Sequence, residues 1–181
     1  FNSSNDTKIV LMTRFKNERH IMYEFINHYL NEGVDCIILI DNESDDDYLT
    51  YNHDWLNELI QSHKVIIVNS SSAQIESYNN CIKHVKKFDW LLVCDMDEFM
   101  FAVSSESTIK SLLNTKLNTY QYIKIPWKLF THDETYQPKS VIYSNTYTHS
   151  VGIDPTSSSK GYKYIVRTNY IKHLYVHRCE C

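Results

Sequence analysis

Residues 89–99 have the sequence DWLLVCDMDEF, in which an apolar run ends at two aspartates that one residue separates. A short run of Trp, Leu and Val between polar residues is typical of a strand buried on both faces. Similar apolar runs occupy residues 8–14, 35–40 and 64–68, and a helical pattern follows each of the three. This alternation predicts an α/β fold with a mostly parallel central sheet and helices on both faces.

The segments between the predicted strands have apolar residues at three- and four-residue spacing, which predicts helices. These helices cover residues 17–32, 48–63 and 74–87. Gly33 follows the first of them, at the position where a helix commonly ends in left-handed backbone. The second half of the chain is less regular, with one predicted helix and three predicted strands at residues 107–117, 122–126, 162–167 and 171–176.

The composition excludes several ways of binding a nucleotide. The chain has 181 residues, the size of one domain, and only three glycines. It therefore lacks the G-x-G-x-x-G fingerprint, the P-loop and the G-x-S-x-G nucleophile elbow. The net charge is −4, with the acidic excess in residues 1–100, which argues against nucleic-acid binding. No run approaches the roughly 18 apolar residues of a membrane span, so we expect no such span.

Five cysteines are present, and their positions differ in character. Cys36 and Cys94 lie within apolar runs and are predicted core residues. Cys179 and Cys181, taken together with His177, fit no common structural zinc pattern. The odd number of cysteines also argues against a disulfide framework.

Asp95 and Asp97 follow the fourth predicted strand. On extended backbone the side chains of residues i and i+2 point the same way, so these two carboxylates can share one partner. Close carboxylates repel each other unless a proton or a cation lies between them, and oxygen ligands suit Mg²⁺ or Mn²⁺. Parallel sheets bind ligands at the carboxyl ends of their strands, which favours a site here. The alternative is that Asp97 or Glu98 caps a helix or pairs with a surface lysine.

Four segments that follow one another in order resemble the GT-A glycosyltransferases of the family 2 and family 92 type. They are RFKNE at residues 14–18, EFINHYLNEGVD at residues 24–35, IDNESDD at residues 40–46 and the stretch at residues 89–99. Versions in large DNA viruses and in eukaryotic Golgi enzymes are the most similar, and a weaker similarity continues through residues 127–130 and 163–177. The resemblance implies a single GT-A (Rossmann-like) domain over residues 1–181. Its nucleotide-binding half would cover about residues 1–100, and its acceptor-side, metal-completing half about residues 101–181.

The resemblance also implies which residues bind the nucleotide of the donor. Thr13 and Arg14 would contact the nucleoside, because in such enzymes the segment after the first strand does so. The acidic loop after the second strand would bind the base through Asp41 and Asn42. The alternative is that Asn42 is only a turn residue.

A metal ion, Mn²⁺ or Mg²⁺, and basic residues would then hold the diphosphate in such an enzyme. The implied metal ligands are Asp95, which would otherwise bind the ribose, Asp97 and His177. The implied phosphate-facing residues are Lys163 and Arg167. The alternatives are that His173 replaces His177 and that Arg167 only pairs with the acidic half of the chain.

The implied reaction moves a sugar from a nucleotide-diphosphate donor, with UDP favoured, to a hydroxyl group of a glycan or glycoprotein. The metal ion would stabilise the charge of the leaving diphosphate. An inverting enzyme needs a carboxylate base, for which Asp133 and then Glu134 are the candidates, whereas a retaining enzyme needs none. A D-x-D-x-[TV] phosphatase ranks lower, because Phe99 occupies the last position of that motif. The remaining alternative is a non-catalytic sugar- or nucleotide-binding module of the same fold.

Glycosylation sequons give a first indication of the compartment. They begin at Asn2, Asn5, Asn42 and Asn69. Asn42 lies in the predicted nucleotide pocket, where a glycan would block binding, so passage through the secretory lumen is disfavoured. An abundance of Asn, Ile, Lys and Tyr suggests an AT-rich genome. We therefore expect a viral enzyme in the host cytoplasm rather than in the Golgi lumen, and further domains in a longer parent protein fit this expectation.

Overall fold

The computed structural model describes residues 6–103, 107–127 and 161–181, together with the backbone of residues 129–130 and 150–151. Within these residues the strands are numbered in chain order. They are β1 (Ile9–Phe15), β2 (Cys36–Asp41), β3 (Val65–Asn69), β4 (Trp90–Val93), β5 (Tyr122–Pro126), β6 (Leu129–Phe130), β7 (Ser150–Val151), β8 (Tyr162–Arg167), β9 (His173–Leu174) and β10 (Cys179–Glu180).

The central sheet has the strand order β3-β2-β1-β4-β8-β5. Strands β1 to β4 are parallel to one another. Strand β8 is antiparallel to both of its neighbours, β4 and β5, so that β5 has the same direction as β4. The mostly parallel α/β sheet expected from the sequence is therefore confirmed, and its first four strands lie within two residues of their predicted bounds.

Helices follow the strands of the first half, and the longest of them ends as predicted. They are α1 (Arg19–Asn31), α2 (Tyr48–Tyr51), α3 (His53–Gln61), α4 (Gln74–Asn80), α5 (Ile82–Val85) and α6 (Ile109–Asn114). Gly33 has φ +89° just after α1, a conformation that glycine adopts without strain. None of the helices in the described part of the chain is long and apolar enough to span a bilayer.

Two of the predicted helices are each divided into two shorter ones. The break between α2 and α3 falls at Asn52, whose side-chain amide donates to the carbonyl of Tyr48 and competes with the helical ladder. The break between α4 and α5 falls at Cys81, whose N–H donates to the carbonyl of Tyr78, three residues back. Such a bond tightens the turn and interrupts the α-helical pattern.

The sheet is covered on both faces, because alternate residues of its strands point into two separate apolar cores. One core contains Phe25 and Tyr29 of α1, Leu56 of α3 and Leu113 of α6. The other is covered by Tyr78, Cys81 and Val85 and by the chain that follows β8. The predicted core residues Cys36 and Cys94 are both buried. Burial on both faces explains why these strands are continuous apolar runs in the sequence.

The pairing of β4 with β8 determines what lies at each end of this strand pair. Val93 pairs with Tyr164, and Trp90 pairs with Arg167. Because the strands are antiparallel, Lys163 lies beside the carboxyl end of β4, just before the aspartates begin. Arg167 lies at the opposite edge of the sheet.

A short hairpin follows the central sheet. The 3₁₀ turn Thr168–Tyr170 leads into β9, which pairs with β10 in the antiparallel direction. The backbone N–H and C=O of Leu174 are bonded to the side chain of Asn79 of α4, at 2.9 Å each. The predicted strand at residues 171–176 is therefore shorter, and it lies beside α4 rather than in the sheet.

Candidate functional site

The loop after β4 folds back on itself, which places two acidic side chains together. The N–H of Asp95 donates to Oε2 of Glu98 at 2.9 Å, and the N–H of Glu98 donates to the carbonyl of Asp95 at 3.1 Å. Between them, Asp97 is exposed to solvent. The D-x-D pair is therefore not a continuation of β4, as extended backbone would make it, but part of a tight turn that also includes Glu98.

A buried lysine offsets part of the negative charge of this turn. The ammonium of Lys163 lies 2.7 Å from Oδ2 of Asp95 and 3.2 Å from Oε2 of Glu98, and its side chain is only 2% exposed. Burial alone would lower the pKa of Lys163, but the hydrogen bond with Asp95 and the charge of Glu98 raise it above its usual range. Lys163 is thus a fixed positive charge beneath the acidic turn.

Helix α1 holds the same turn from its other side. The hydroxyl of Tyr29 donates to the carbonyl of Glu98 and accepts from the N–H of Met100, at 2.9 Å each. Nε2 of His28 lies 2.6 Å from the carbonyl of Met100. These contacts satisfy backbone groups that a buried turn would otherwise leave unpaired. Two consecutive residues of α1 therefore determine the position of the acidic turn.

A further carboxylate, Glu18, lies near the turn. Burial and the charges of Asp97, Asp95 and Asp46 raise the pKa of Glu18 to about 7. Its Oε2 atom and Oδ1 of Asp46 are buried and have no hydrogen-bond partner among the described residues. This end of the sheet therefore has more negative charge than Lys163 offsets. Glu18 was missed in the sequence, although it follows β1 in the same way that Asp95 follows β4.

This excess of carboxylate oxygens fits a divalent cation in the chemistry of its donors. Among the described residues, however, no three His, Cys, Asp or Glu side chains lie close enough together to hold an ion. The two observations agree for Mg²⁺-like ions, which commonly take only one or two protein carboxylates and complete their shell with water and substrate phosphates. Asp95 and Asp97 are the residues that would hold such an ion.

The predicted nucleoside-binding residues lie at the ends of β1 and β2. Nη2 of Arg14 donates to Oδ1 of Asn42 at 2.6 Å and to the carbonyl of Ser72 at 2.8 Å. Thr13 is fully buried, and its hydroxyl has no partner among the described residues. The structure therefore brings Arg14 and Asn42 into direct contact, with Thr13 beside them on β1.

Asp41, by contrast, uses both carboxylate oxygens in hydrogen bonds within the fold. Its Oδ1 accepts from the N–H of Ser44 at 2.8 Å, and its Oδ2 accepts from the hydroxyl of Tyr48 at 3.0 Å. The residue is 8% exposed. Both of its oxygens are thus used to shape the acidic loop, and a role toward the base remains a prediction.

His177 and Arg167 lie apart from the acidic turn. His177 is exposed, and its ring packs edge-on against that of Trp127, with centroids 5.4 Å apart. Trp127 follows β5, so this pair lies at the same edge of the sheet as Asp95. Arg167 lies at the opposite edge, where it bonds to the carbonyls of residues 118 and 120. Its side chain is therefore not brought together with the residues predicted to face the diphosphate.

The remaining predicted site residues have different outcomes. His173, the alternative to His177, has Nε2 3.3 Å from Nδ2 of Asn79, beside α4. Asp133 and Glu134 lie outside the described residues. The catalytic base therefore stays a prediction.

Sequence comparison connects this arrangement to known proteins. The model of the family described as glycosyltransferase family 92 matches residues 11–180. No curated protein sequence matches the chain. The matched range includes the acidic turn, Lys163 and His177, so the family match covers nearly all of the site.

Solved structures with a similar fold include two bacterial or archaeal proteins at low identity. Mannosyltransferase PcManGT from Pyrobaculum calidifontis, in complex with GDP-Man and Mn²⁺, is 13% identical with a TM-score of 0.48, over 66% of this chain and 35% of that one. Residues 1–349 of S. aureus TarS are 12% identical with a TM-score of 0.46, over 91% of this chain and 48% of that one. The chain therefore spans between about a third and a half of the length of these two solved chains.

Proposed function

The chain belongs to glycosyltransferase family 92, and from this membership we propose that it transfers a sugar from a nucleotide-diphosphate donor to a hydroxyl group of a glycan or glycoprotein. A UDP-sugar is the first donor to test. One arrangement carries the proposal. Asp95, Glu98 and the buried Lys163 meet at the carboxyl end of β4, the edge at which open α/β sheets bind ligands.

The residues of the acidic turn have distinct parts in this proposal. Lys163 holds the carboxylate of Asp95 in one orientation, through a contact of 2.7 Å. Asp97, which is exposed, and Asp95 would hold a divalent cation together with the donor diphosphate. Such a cation would supply positive charge to the leaving diphosphate. Because Lys163 is 2% exposed, its own contribution is to position Asp95 rather than to contact phosphate.

The residues proposed to act on the acceptor lie in the second half of the chain. Inverting transfer needs a group that takes the proton from the acceptor hydroxyl as the bond to the sugar forms. Asp133 is the proposed base, with Glu134 as the second candidate. The pair of Trp127 and His177 offers an aromatic surface at the same edge of the sheet, and such a surface suits a sugar ring.

The ion pair itself also favours a second candidate function, nucleotide-sugar binding without turnover. Lys163 already supplies a cation to Asp95 and Glu98, so this turn is partly neutralised without a metal ion. A module that only binds a donor has no need for a second cation. The two functions therefore differ in whether the protein needs Asp97 and a divalent ion in order to act on the donor.

A donor screen separates the two functions. Thermal unfolding of the chain would be measured with UDP-glucose, UDP-galactose, UDP-N-acetylglucosamine and GDP-mannose, each with Mn²⁺ and with a chelator. A ligand at a hundred times its Kd adds about 2.7 kcal/mol to the free energy of unfolding, which makes the true donor evident. Release of the free nucleotide from the same mixtures then reports turnover. Binding without release of nucleotide from any donor would leave the binding module as the answer.

The matched variants are Asp97→Ala and Asp54→Ala, which both remove an exposed carboxylate. Loss of a group that acts on developing charge costs about 100-fold in turnover, so Asp97→Ala is expected to lose that much with Mn²⁺ present. Asp54 is 99% exposed and lies on α3, so its variant should retain the wild-type rate within about twofold. Equal rates for both variants would refute the role given to Asp97.

A further inference from the structure

Two cysteines of the C-terminal hairpin lie in contact with each other. Sγ of Cys181 is 3.2 Å from Sγ of Cys179, and both thiols are free. Cys179 is partly exposed and Cys181 is exposed, whereas Cys36, Cys81 and Cys94 are buried in the two apolar cores. The chain thus has one accessible pair of thiols and three inaccessible single ones.

The hairpin explains why this pair is close. Cys179 and Cys181 are two residues apart along an extended segment, so their side chains point to the same side. Cys179 pairs with Leu174 of β9, and the carbonyl of Glu180 accepts from the N–H of Lys172 at 2.8 Å. The ammonium of Lys172 bonds to the carbonyl of Cys181 at 3.0 Å. The backbone on both sides of the two thiols is therefore held by one short ladder.

We propose that Cys179 and Cys181 form a redox-active dithiol that is oxidised to an intramolecular disulfide by small disulfides such as glutathione disulfide. The sulfurs have to approach by only about 1.2 Å, since a disulfide bond is about 2.05 Å long. A disulfide across two residues closes a very short ring, which restrains the unfolded chain little. The disulfide would therefore add little to the stability of the fold, and its formation at this accessible site would be reversible.

The reaction proceeds by two thiol–disulfide exchange steps. The thiolate of Cys181 attacks one sulfur of glutathione disulfide, the bond between its sulfurs breaks, and one glutathione thiolate leaves. Cys179 then loses its proton to solvent and attacks the Cys181 sulfur, and the second glutathione leaves as a thiolate. Two protein thiols are oxidised, and one glutathione disulfide is reduced to two glutathione thiols.

The surroundings determine the order of these steps. Cys181 is the exposed thiol, so a disulfide in solution reaches it first. Cys179 is only partly exposed, which makes it the less accessible thiol for a first exchange. Once Cys181 carries glutathione, Cys179 is the thiol within reach of the mixed disulfide. Cys181 therefore attacks first, and Cys179 resolves.

The test equilibrates the native chain in glutathione buffers from fully reduced to fully oxidised. Free thiols are then trapped with an alkylating reagent, and the intact mass is measured. The expected product has lost two hydrogen atoms. Cys36, Cys81 and Cys94 are not oxidised in it and remain thiols. Survival of all five thiols in the oxidised buffer would overturn the proposal, and so would a wild-type chain that stops at a stable glutathione adduct.

Single-cysteine variants check the order of attack. Cys179→Ser is expected to accumulate a glutathione adduct on Cys181, because the resolving thiol is missing. Cys181→Ser is expected to react at least tenfold more slowly, since Cys179 is the less exposed thiol. Cys81→Ser is the matched control and should form the disulfide as wild type does. Equal adduct formation by the two hairpin variants would overturn the assigned order.

Discussion

The two ends of the β4–β8 strand pair each have one basic residue, and the two residues behave differently. At the carboxyl end, Lys163 is buried and lies between two carboxylates. At the amino end, Arg167 is partly exposed, bonds to backbone carbonyls and stacks over the ring of Trp90 at 4.4 Å. The charges are equal in sign and four residues apart in one strand. Their surroundings, rather than their charge, determine which of them belongs to the site.

The difference follows from what each end of the sheet must do. A planar guanidinium can stack on an aromatic ring and bond to two carbonyls at the same time, which joins β8 to the chain before β5. A compact ammonium fits between two carboxylates, where it offsets their charge but remains costly to bury. The amino edge is therefore held by packing, and the carboxyl edge by electrostatics. Variants at one edge can therefore be measured against variants at the other.

The largest effect on stability is expected from Lys163→Met, which keeps the apolar stem of the side chain and removes the ammonium. Removal of one partner of a buried ion pair leaves the other unpaired and costs about 3 kcal/mol of unfolding free energy here, the low end of the usual range, because Asp95 is 38% exposed. Urea unfolding near neutral pH measures this loss. Arg167→Met is the matched control at the other end of β8.

The pH dependence of that loss sharpens the comparison. Without Lys163, the pKa of Glu98 would rise further in the folded chain, so that the variant regains stability as the pH falls. Burial already raises the pKa of Glu98 in the wild-type chain. The variant Glu98→Gln combined with Lys163→Met should recover part of the lost stability. A loss that is equal for Lys163→Met and Arg167→Met, and independent of pH, would contradict the electrostatic account.

The second largest effect is expected from Tyr29→Phe, which leaves the ring of α1 in place and removes its hydroxyl. The carbonyl of Glu98 and the N–H of Met100 would both lose their partner in a buried position, at a cost of about 2 kcal/mol. Turnover should also fall about tenfold, because the acidic turn is less well held. Tyr23→Phe, on the same helix but 58% exposed, is the control and should behave as wild type.

A smaller effect of opposite sign is expected from Glu18→Gln. Since burial and three neighbouring aspartates raise the pKa of Glu18 to about 7, the folded chain binds a proton there that the unfolded chain has already lost. Stability therefore falls as the pH rises from about 4.5 to about 7. The variant should match wild type near pH 5 and exceed it by about 1 kcal/mol near pH 8, because each unit of the raised pKa is worth about 1.4 kcal/mol and solvent around this partly exposed carboxyl screens most of the total.

The control for this prediction is Glu58→Gln, which removes an exposed carboxylate from α3. Its unfolding free energy should differ from wild type by the same small amount at both pH values. If Glu18→Gln showed the same flat difference, the excess of negative charge at the carboxyl edge would not exist. Urea midpoints at the two pH values decide between these results.

The fold was predictable because its signals are local. Each of the first four strands is a continuous apolar run, and Gly33 ends α1 in the left-handed conformation expected of it. The breaks at Asn52 and Cys81 were not predicted, because each depends on one competing hydrogen bond that leaves the apolar spacing unchanged. Local patterns therefore predict which elements exist better than they predict where an element is interrupted.

The site was predictable only where it is contiguous in the sequence. Asp95, Asp97 and Glu98 were evident as a cluster after β4, and the alternative that Glu98 pairs with a lysine is what the structure shows. The lysine concerned is Lys163, which is 68 residues from Asp95 and is buried rather than on the surface. Its position depends on the antiparallel register of β8, which no local spacing reveals. The same register carries Arg167 to the other edge.

The smallest effect is expected from Arg167→Gln, at the end of the strand pair that has no carboxylates. The variant loses the cation–π contact with Trp90 and part of the hydrogen bonding to two backbone carbonyls. Because all of these contacts are partly exposed, the unfolding free energy should fall by about 1 kcal/mol or less. Donor binding and turnover should stay within about twofold of wild type, because Arg167 lies at the edge away from Asp95. The nucleotide-release assay and urea unfolding measure the two quantities on the same sample. A large loss of turnover at unchanged stability would show that Arg167 does reach the diphosphate, and the division between a packed edge and a charged edge would then be wrong.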